Sequence, residues 1–143
     1  MNAVRSQAAA LTLIALSASA LAAQAQDPIP SRTPLAVIPI APGKLVARVE
    51  TTRVDFLPGQ AMPAHRHTVP VICFISRGDF LVSIGDEPER RASLGTTTYE
   101  PPGVTVHYFR NASSTAPAQL QCASLAGAED KVLNVMLDPE PKP

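Results

Sequence analysis

The sequence predicts an all-β domain of the sandwich or barrel kind, and three observations carry that prediction. Turn signals recur at short intervals: Leu57-Pro58-Gly59, Arg77-Gly78-Asp79, Gly85-Asp86-Glu87-Pro88, Gly95 and Pro101-Pro102-Gly103. The segments between them are short and rich in Val, Ile, Thr, Phe and Tyr, which suit a pleated, half-buried surface. No stretch of the central region shows a helical period bounded by caps.

Along the chain, residues 1–25 read as a secretory signal peptide. Arg5 supplies the positive n-region, Ala8 to Ala22 form the apolar run, and Ala23-Gln24-Ala25 is a small-x-small cleavage site before Gln26. The run is shorter and richer in Ala and Ser than a spanning helix requires. Cleavage removes Arg5 from the 12 Lys+Arg, leaving 11 against 12 Asp+Glu and a formal charge of −1. Residues 26–43 carry five prolines and read as an extended lead-in, with room for one short strand at Leu35–Ile40. The domain proper runs over 44–137. Its expected strands are Leu45–Phe56, Val69–Ser76, Phe80–Ile84, Thr96–Tyr99, Val104–Phe109 and Gln119–Ser124. Glu129–Leu137 fits either a last strand or a short helix, and 138–143 read as a frayed tail.

Size and charge exclude several functions. A chain of 143 residues holds one domain, not separate cofactor and substrate lobes. A net charge of zero gives no broad positive field, so no nucleic acid is expected as a partner. No membrane association is expected once the leader is gone. There is no G-x-S-x-G elbow and no phosphate-binding loop.

The three histidines carry the chemistry. His65 and His67 form His-x-His, and on a strand alternate residues share a face. The two imidazoles therefore stand side by side, as two ligands to one metal ion would. His107 follows 40 residues later, after a Pro-Pro-Gly turn.

These residues fall into two glycine-bounded runs. Gly59-x5-His65-x-His67-x3-Val71-x6-Gly78 resembles the first motif of the cupins, G-x5-H-x-H-x3-4-E-x6-G. Gly95-x5-Pro101-x-Gly103-x3-His107-x3-Asn111 resembles their second, G-x5-P-x-G-x2-H-x3-N. The resemblance spans about residues 45–125. It implies a small jelly-roll β-barrel, the cupin double-stranded β-helix, holding a single divalent metal at its mouth. His65, His67 and His107 fall on the ligand histidines, and Pro101, Gly103 and Asn111 on structural positions. The glycines are expected at tight turns.

The chain departs from the family pattern twice. Val71 stands where the motif has a glutamate ligand. The loop from Gly103 to His107 is one residue longer than usual. Since His-x3-Asn is kept, the expectation is that the loop absorbs the extra residue and His107 faces inward. A one-residue slip would turn it out. Tyr99 or Glu100 could replace the missing carboxylate. As neighbours on one strand, at most one of them faces in, and the sequence leaves open which.

Alternation from His67 places Val69, Val71, Cys73 and Ile75 on the inner face, with Phe109 sharing a face with His107. Val71, Cys73, Tyr99 and Phe109 are the expected pocket residues, an apolar wall around a polar metal. Ile72 and Phe74 then face outward and call for cover by the N-terminal segment or by a second subunit. Cupins are often dimers, which favours a homodimer. Cys73 and Cys122 either form a disulfide, in keeping with an oxidising compartment, or remain two buried thiols. Asn111-Ala112-Ser113 fits a glycosylation sequon but falls on the motif asparagine.

The leader implies a secreted or periplasmic protein, and the resemblance implies a metal-dependent cupin. Its cofactor would be one divalent ion: Fe, Mn, Zn, Cu or Ni. With three protein ligands, open positions remain for a small-molecule substrate. No general base accompanies the ligands, which suits a dioxygenase-like oxidoreductase better than an isomerase or lyase. The alternative is a non-catalytic periplasmic protein that binds a metal or a small ligand.

Overall fold

A computed structural model describes residues 32–40 and 45–137. The proposed signal peptide, residues 26–31 and 41–43 of the lead-in, and the tail lie outside the described residues. Among the described residues there is no helix, and ten strands make two antiparallel sheets.

The first sheet has the order β1 (Arg48–Phe56), β9 (Ala118–Ala126), β4 (Val71–Arg77), β7 (Thr97–Glu100). The second has the order β10 (Asn134–Met136), β3 (His65–His67), β8 (Thr105–Asn111), β5 (Phe80–Ile84), β6 (Arg90–Ala92), with β2 (Ala61–Met62) also paired to β8. The non-consecutive neighbours are those of a jelly roll. No ladder closes the two sheets into one continuous barrel.

The expected strands are present, with shifts of a few residues at their ends. Three features differ. The lead-in residues 35–40 form no strand. The ambiguous segment after Glu129 contributes strand β10, not a helix. A short edge strand, Arg90–Ala92, lies outside the expected segments.

Five glycines, at 59, 78, 85, 95 and 103, have positive φ, where a side chain would be strained. Gly78 shows a second reason as well. A Cβ there would lie 2.9 Å from the Cβ of Ala118, so the β4–β5 turn must be bare to pass the start of β9.

The core lies between the sheets. Strand β4 alternates as its sequence predicts: Val71, Cys73 and Ile75 are buried, Ile72 is half-buried and Phe74 is 44% exposed. Phe80 is the centre of an aromatic cluster, with edge-on contacts to Phe56 at 5.0 Å and Phe109 at 6.2 Å between ring centres. Asn111 is buried and fully used. Its amide donates to the carbonyls of Leu57 and Ala116, and its oxygen accepts from the Ser113 amide. It pins the chain after β8, so its role is structural, as its motif position implies.

Candidate metal centre

Strand β3 is only three residues long, and it is paired on both sides. His65 lies opposite Val106 on β8, and His67 lies opposite Asn134 on β10. Both imidazoles therefore point between the sheets. Their ring centres are 5.0 Å apart and the rings nearly perpendicular. His65 Nδ1 lies 2.9 Å from the Pro63 carbonyl, and His67 Nδ1 lies 3.2 Å from the Leu133 carbonyl. A carbonyl can only accept, so each Nδ1 carries a proton and donates it. In a neutral ring Nε2 is then the nitrogen with the free lone pair, turned to the interior, the state in which imidazole binds a metal.

The third group at this point is Glu100, at the end of β7. Its register partner across the first sheet is Val71. That pairing brings a carboxylate from the neighbouring strand beside the position where the motif residue is valine. Glu100 is 2% exposed, whereas Tyr99 points to the other side of the strand. The question that the sequence leaves open is answered in favour of Glu100. Tyr99 does not line the central cavity, a correction to its expected place in the pocket wall.

Glu100 Oε2 lies 2.8 Å from His67 Nε2 and 3.5 Å from His65 Nε2. Neither approach has the angle of a good hydrogen bond, and this buried oxygen has no hydrogen-bond partner. Glu100 Oε1 faces Cys73 Sγ at 3.1 Å. Cys73 is joined to Cys122 in a disulfide, so its sulfur has no hydrogen to give. A buried carboxylate left without donors is costly unless a cation meets it. Burial pushes the Glu100 carboxyl up, but the two facing imidazoles, where they carry a proton on Nε2, reverse this and hold it below the ordinary value. Burial pulls His65 down, but Glu100 and the Pro63 carbonyl outweigh it and hold the imidazole above its ordinary value. The ligand atoms of His65, His67 and Glu100 all lie within 4.8 Å of one another, and the three residues could hold a metal ion.

His107 is not part of this group. The β5–β8 ladder pairs Ser83 with Tyr108 and Ile84 with Val106, skipping His107. The extra residue is therefore taken up as a β-bulge within β8, not in the loop before it. Val106 and Phe109 both face inward, while His107 is exposed and its Nε2 meets the Gly85 carbonyl at 3.2 Å. Phe109 and His107 do not share a face. Counting from Gly103, the residue at the motif's usual histidine spacing is Val106, which is 1% exposed and packed in the core.

A cavity of about 210 Å³ opens beside the three ligands, between the two sheets. Val71 and Phe109 line it, together with Val54, Phe56, Met62 and Leu120. Cys73 does not line it. It lies behind the wall, packed with Val69 and Val71, and its disulfide partner Cys122 faces the cavity instead. Glu50, Thr52 and Ser124 supply polar groups along β1 and β9. No lysine or arginine is among the lining residues.

Among solved structures, the chain is similar to an oxalate oxidase in complex with the substrate analogue glycolate, at 28% identity over 55% of this chain and 42% of that one, with a TM-score of 0.50. A second oxalate oxidase structure matches at 26% identity over 62% of this chain and 46% of that one, with a TM-score of 0.53. The DMSP lyase DddQ from Ruegeria pomeroyi shares the fold at 20% identity over 66% of this chain and 45% of that one, with a TM-score of 0.55. The chain thus spans under half the length of each of these proteins. No curated protein matches it by sequence. The model of the cupin domain matches residues 52–124, from β1 to β9, a span that holds all three ligand candidates and both cysteines. With that match over half its length, the chain belongs to the cupin domain family.

Proposed function

We propose that this protein is a mononuclear metal-dependent cupin that carries out dioxygenase-like oxidation of a small organic molecule. One divalent ion would be held by His65, His67 and Glu100. The observation that carries this reading is the buried Glu100 carboxylate, aimed at two Nε2 atoms and lacking any hydrogen donor. Two imidazoles and one carboxylate with open positions are the donor set typical of non-haem iron oxygenases. A bound ion would supply Lewis-acid or redox chemistry at those positions.

The chain's own residues do the rest. The Pro63 and Leu133 carbonyls fix the imidazole tautomers. Val71, Phe109, Met62 and Leu120 form an apolar wall that excludes water and takes the substrate's carbon skeleton. With no cationic side chain in the lining, the ion would be the sole positive charge available to a substrate oxygen. The similarity to oxalate oxidase supports an oxidative reaction. The only other ionisable group in the lining outside the disulfide is Glu50, which is exposed and paired with Arg48. Chemistry that needs a separate buried base is thereby disfavoured. The same observation supports the second reading, a binding protein without turnover.

The test is metal content by mass spectrometry on untagged protein, beside a His65→Ala/His67→Ala variant. About one equivalent in the wild type and none in the variant is the expected result for a three-donor site. Substrate-dependent oxygen uptake by the iron form would then separate the enzyme from the binding protein. No uptake of iron, manganese, zinc, copper or nickel by the wild type would refute the metal site and leave only a protein that binds a small organic ligand.

We further propose export from the cytoplasm, with cleavage before Gln26. The Cys73–Cys122 bond supports this, since disulfides persist in oxidising compartments. The intact mass of protein recovered from the periplasm of a bacterial host should begin at Gln26. An unprocessed chain retained in the cytoplasm would contradict it.

A further inference from the structure

Glu100 has two neighbours. Its Oε2 faces the two imidazoles, and its Oε1 faces the disulfide. The ligand atoms of Cys73, Glu100 and Cys122 also lie within 4.8 Å of one another, so the chain places two potential donor sets side by side with one carboxylate between them. Cys73 and Cys122 are direct partners across β4 and β9, and Glu100 is on β7, the other neighbour of β4. Three adjacent strands therefore supply this second set. Cys73 is buried, but Cys122 is half-buried and lines the cavity, so a small molecule entering there can reach the disulfide.

We infer that reduction of the Cys73–Cys122 disulfide creates a second metal site, built from the two sulfurs and Glu100 Oε1, which takes a thiophilic divalent cation such as Zn²⁺ or Co²⁺. The reductant is a dithiol. Its two sulfurs join, the Cys73–Cys122 bond breaks, and its two electrons and two protons pass to the cysteines. Each cysteine releases its proton to solvent as its sulfur takes the ion. Sulfur donors select differently from the imidazole pair, favouring zinc and other thiophilic ions over manganese or magnesium. Glu100 would then offer Oε2 to the first ion and Oε1 to the second. The inference rests on the proposed reading only in that bridging role. The sulfur pair itself does not depend on it.

The experiment uses Co²⁺ as the probe on the untagged protein, either as isolated or after dithiol treatment and anaerobic desalting. Bound cobalt is counted, sulfur-to-cobalt charge-transfer absorption is recorded, and far-ultraviolet circular dichroism checks that the reduced chain keeps its sheets. The expected result is a rise from about one equivalent to about two, with the charge-transfer band only in the reduced form. In Cys73→Ser/Cys122→Ser the band and the second equivalent are lost and the first remains. In His65→Ala/His67→Ala the band persists in the reduced form, which separates this site from the first. If the wild type binds no cobalt when oxidised but shows the band when reduced, the first site fails and the sulfur site stands. Absence of the band in a folded, reduced wild type overturns the inference. A band with the count still at one also overturns it, because the ion would then have moved instead of being joined by another.

Discussion

Glu100 combines two requirements that rarely coincide: it is 2% exposed, and it lacks a hydrogen donor. Replacing it by glutamine keeps the shape and removes the charge. Metal affinity should fall by on the order of a hundredfold or more, measured by calorimetric titration. His107→Ala should leave metal content unchanged and stability within about 0.5 kcal/mol, as for an ordinary surface position. An equal loss of metal in both variants would contradict the register described for β8. The pH dependence of the metal-free protein follows from the same pair of groups. Glu100 titrates lower in the folded chain than in the unfolded one, so its contribution is present above the ordinary glutamate value of 4.5 and is lost as pH falls through the depressed one. His65 titrates higher when folded, so its contribution is present below the ordinary histidine value of 6.5 and is lost as pH rises through the raised one. The metal-free melting temperature should therefore be highest between those two ordinary values. Metal binding should follow the opposite trend at the alkaline end, strengthening as His65 gives up its proton.

The decisive element is β8. The extra residue after Gly103 is visible in the sequence, but the place where it is absorbed is not. The His-x3-Asn spacing agrees equally with a longer loop and with a bulge at His107. The ladder to β5 decides, since pairing Val106 with Ile84 and Tyr108 with Ser83 leaves His107 without a place. This yields a test by substitution. Val106 lies directly opposite His65 and faces the same interior. Val106→His should add an inward imidazole and tighten metal binding by on the order of tenfold or more, at an overpacking cost of roughly 1–3 kcal/mol. Thermal melts with and without metal would show both effects. The β4–β9 pairing carries the disulfide, which closes a span of 49 residues. By chain-entropy arithmetic, its reduction should cost about 4 kcal/mol, measured by urea unfolding. That is less than the 5–15 kcal/mol of a typical domain, so the reduced chain should remain folded.

At the scale of the whole molecule, much of the architecture was legible in advance. Turn glycines at regular spacing and the alternation of β4 follow from local sterics and burial, so the sequence displays them directly. The His65–His67 pair is equally local. Glu100 and Tyr99 are adjacent, and which of them faces in depends on the register of β7 against β4, a non-local fact. The sequence likewise shows two cysteines but not whether they bond, which follows from the β4–β9 register that sets them opposite each other. A metal held between the sheets should stabilise the entire domain by mass action. At a hundredfold excess over Kd the gain is about 2.7 kcal/mol, and a chelator should reverse it in a melting experiment.

The turn that follows Glu100 ties the two halves of the site together. Glu100 runs straight into Pro101-Pro102-Gly103, and the Gly103 amide donates to the His67 carbonyl at 2.8 Å. The carboxylate of one sheet and the imidazole of the other are therefore joined by a strut of three residues, two of them prolines with fixed φ. Loading the site then requires little motion of the protein. The expected kinetic consequence, should an ion bind there, is entry limited by shedding of hydration water and passage through the cavity, with no slow rearrangement to wait for.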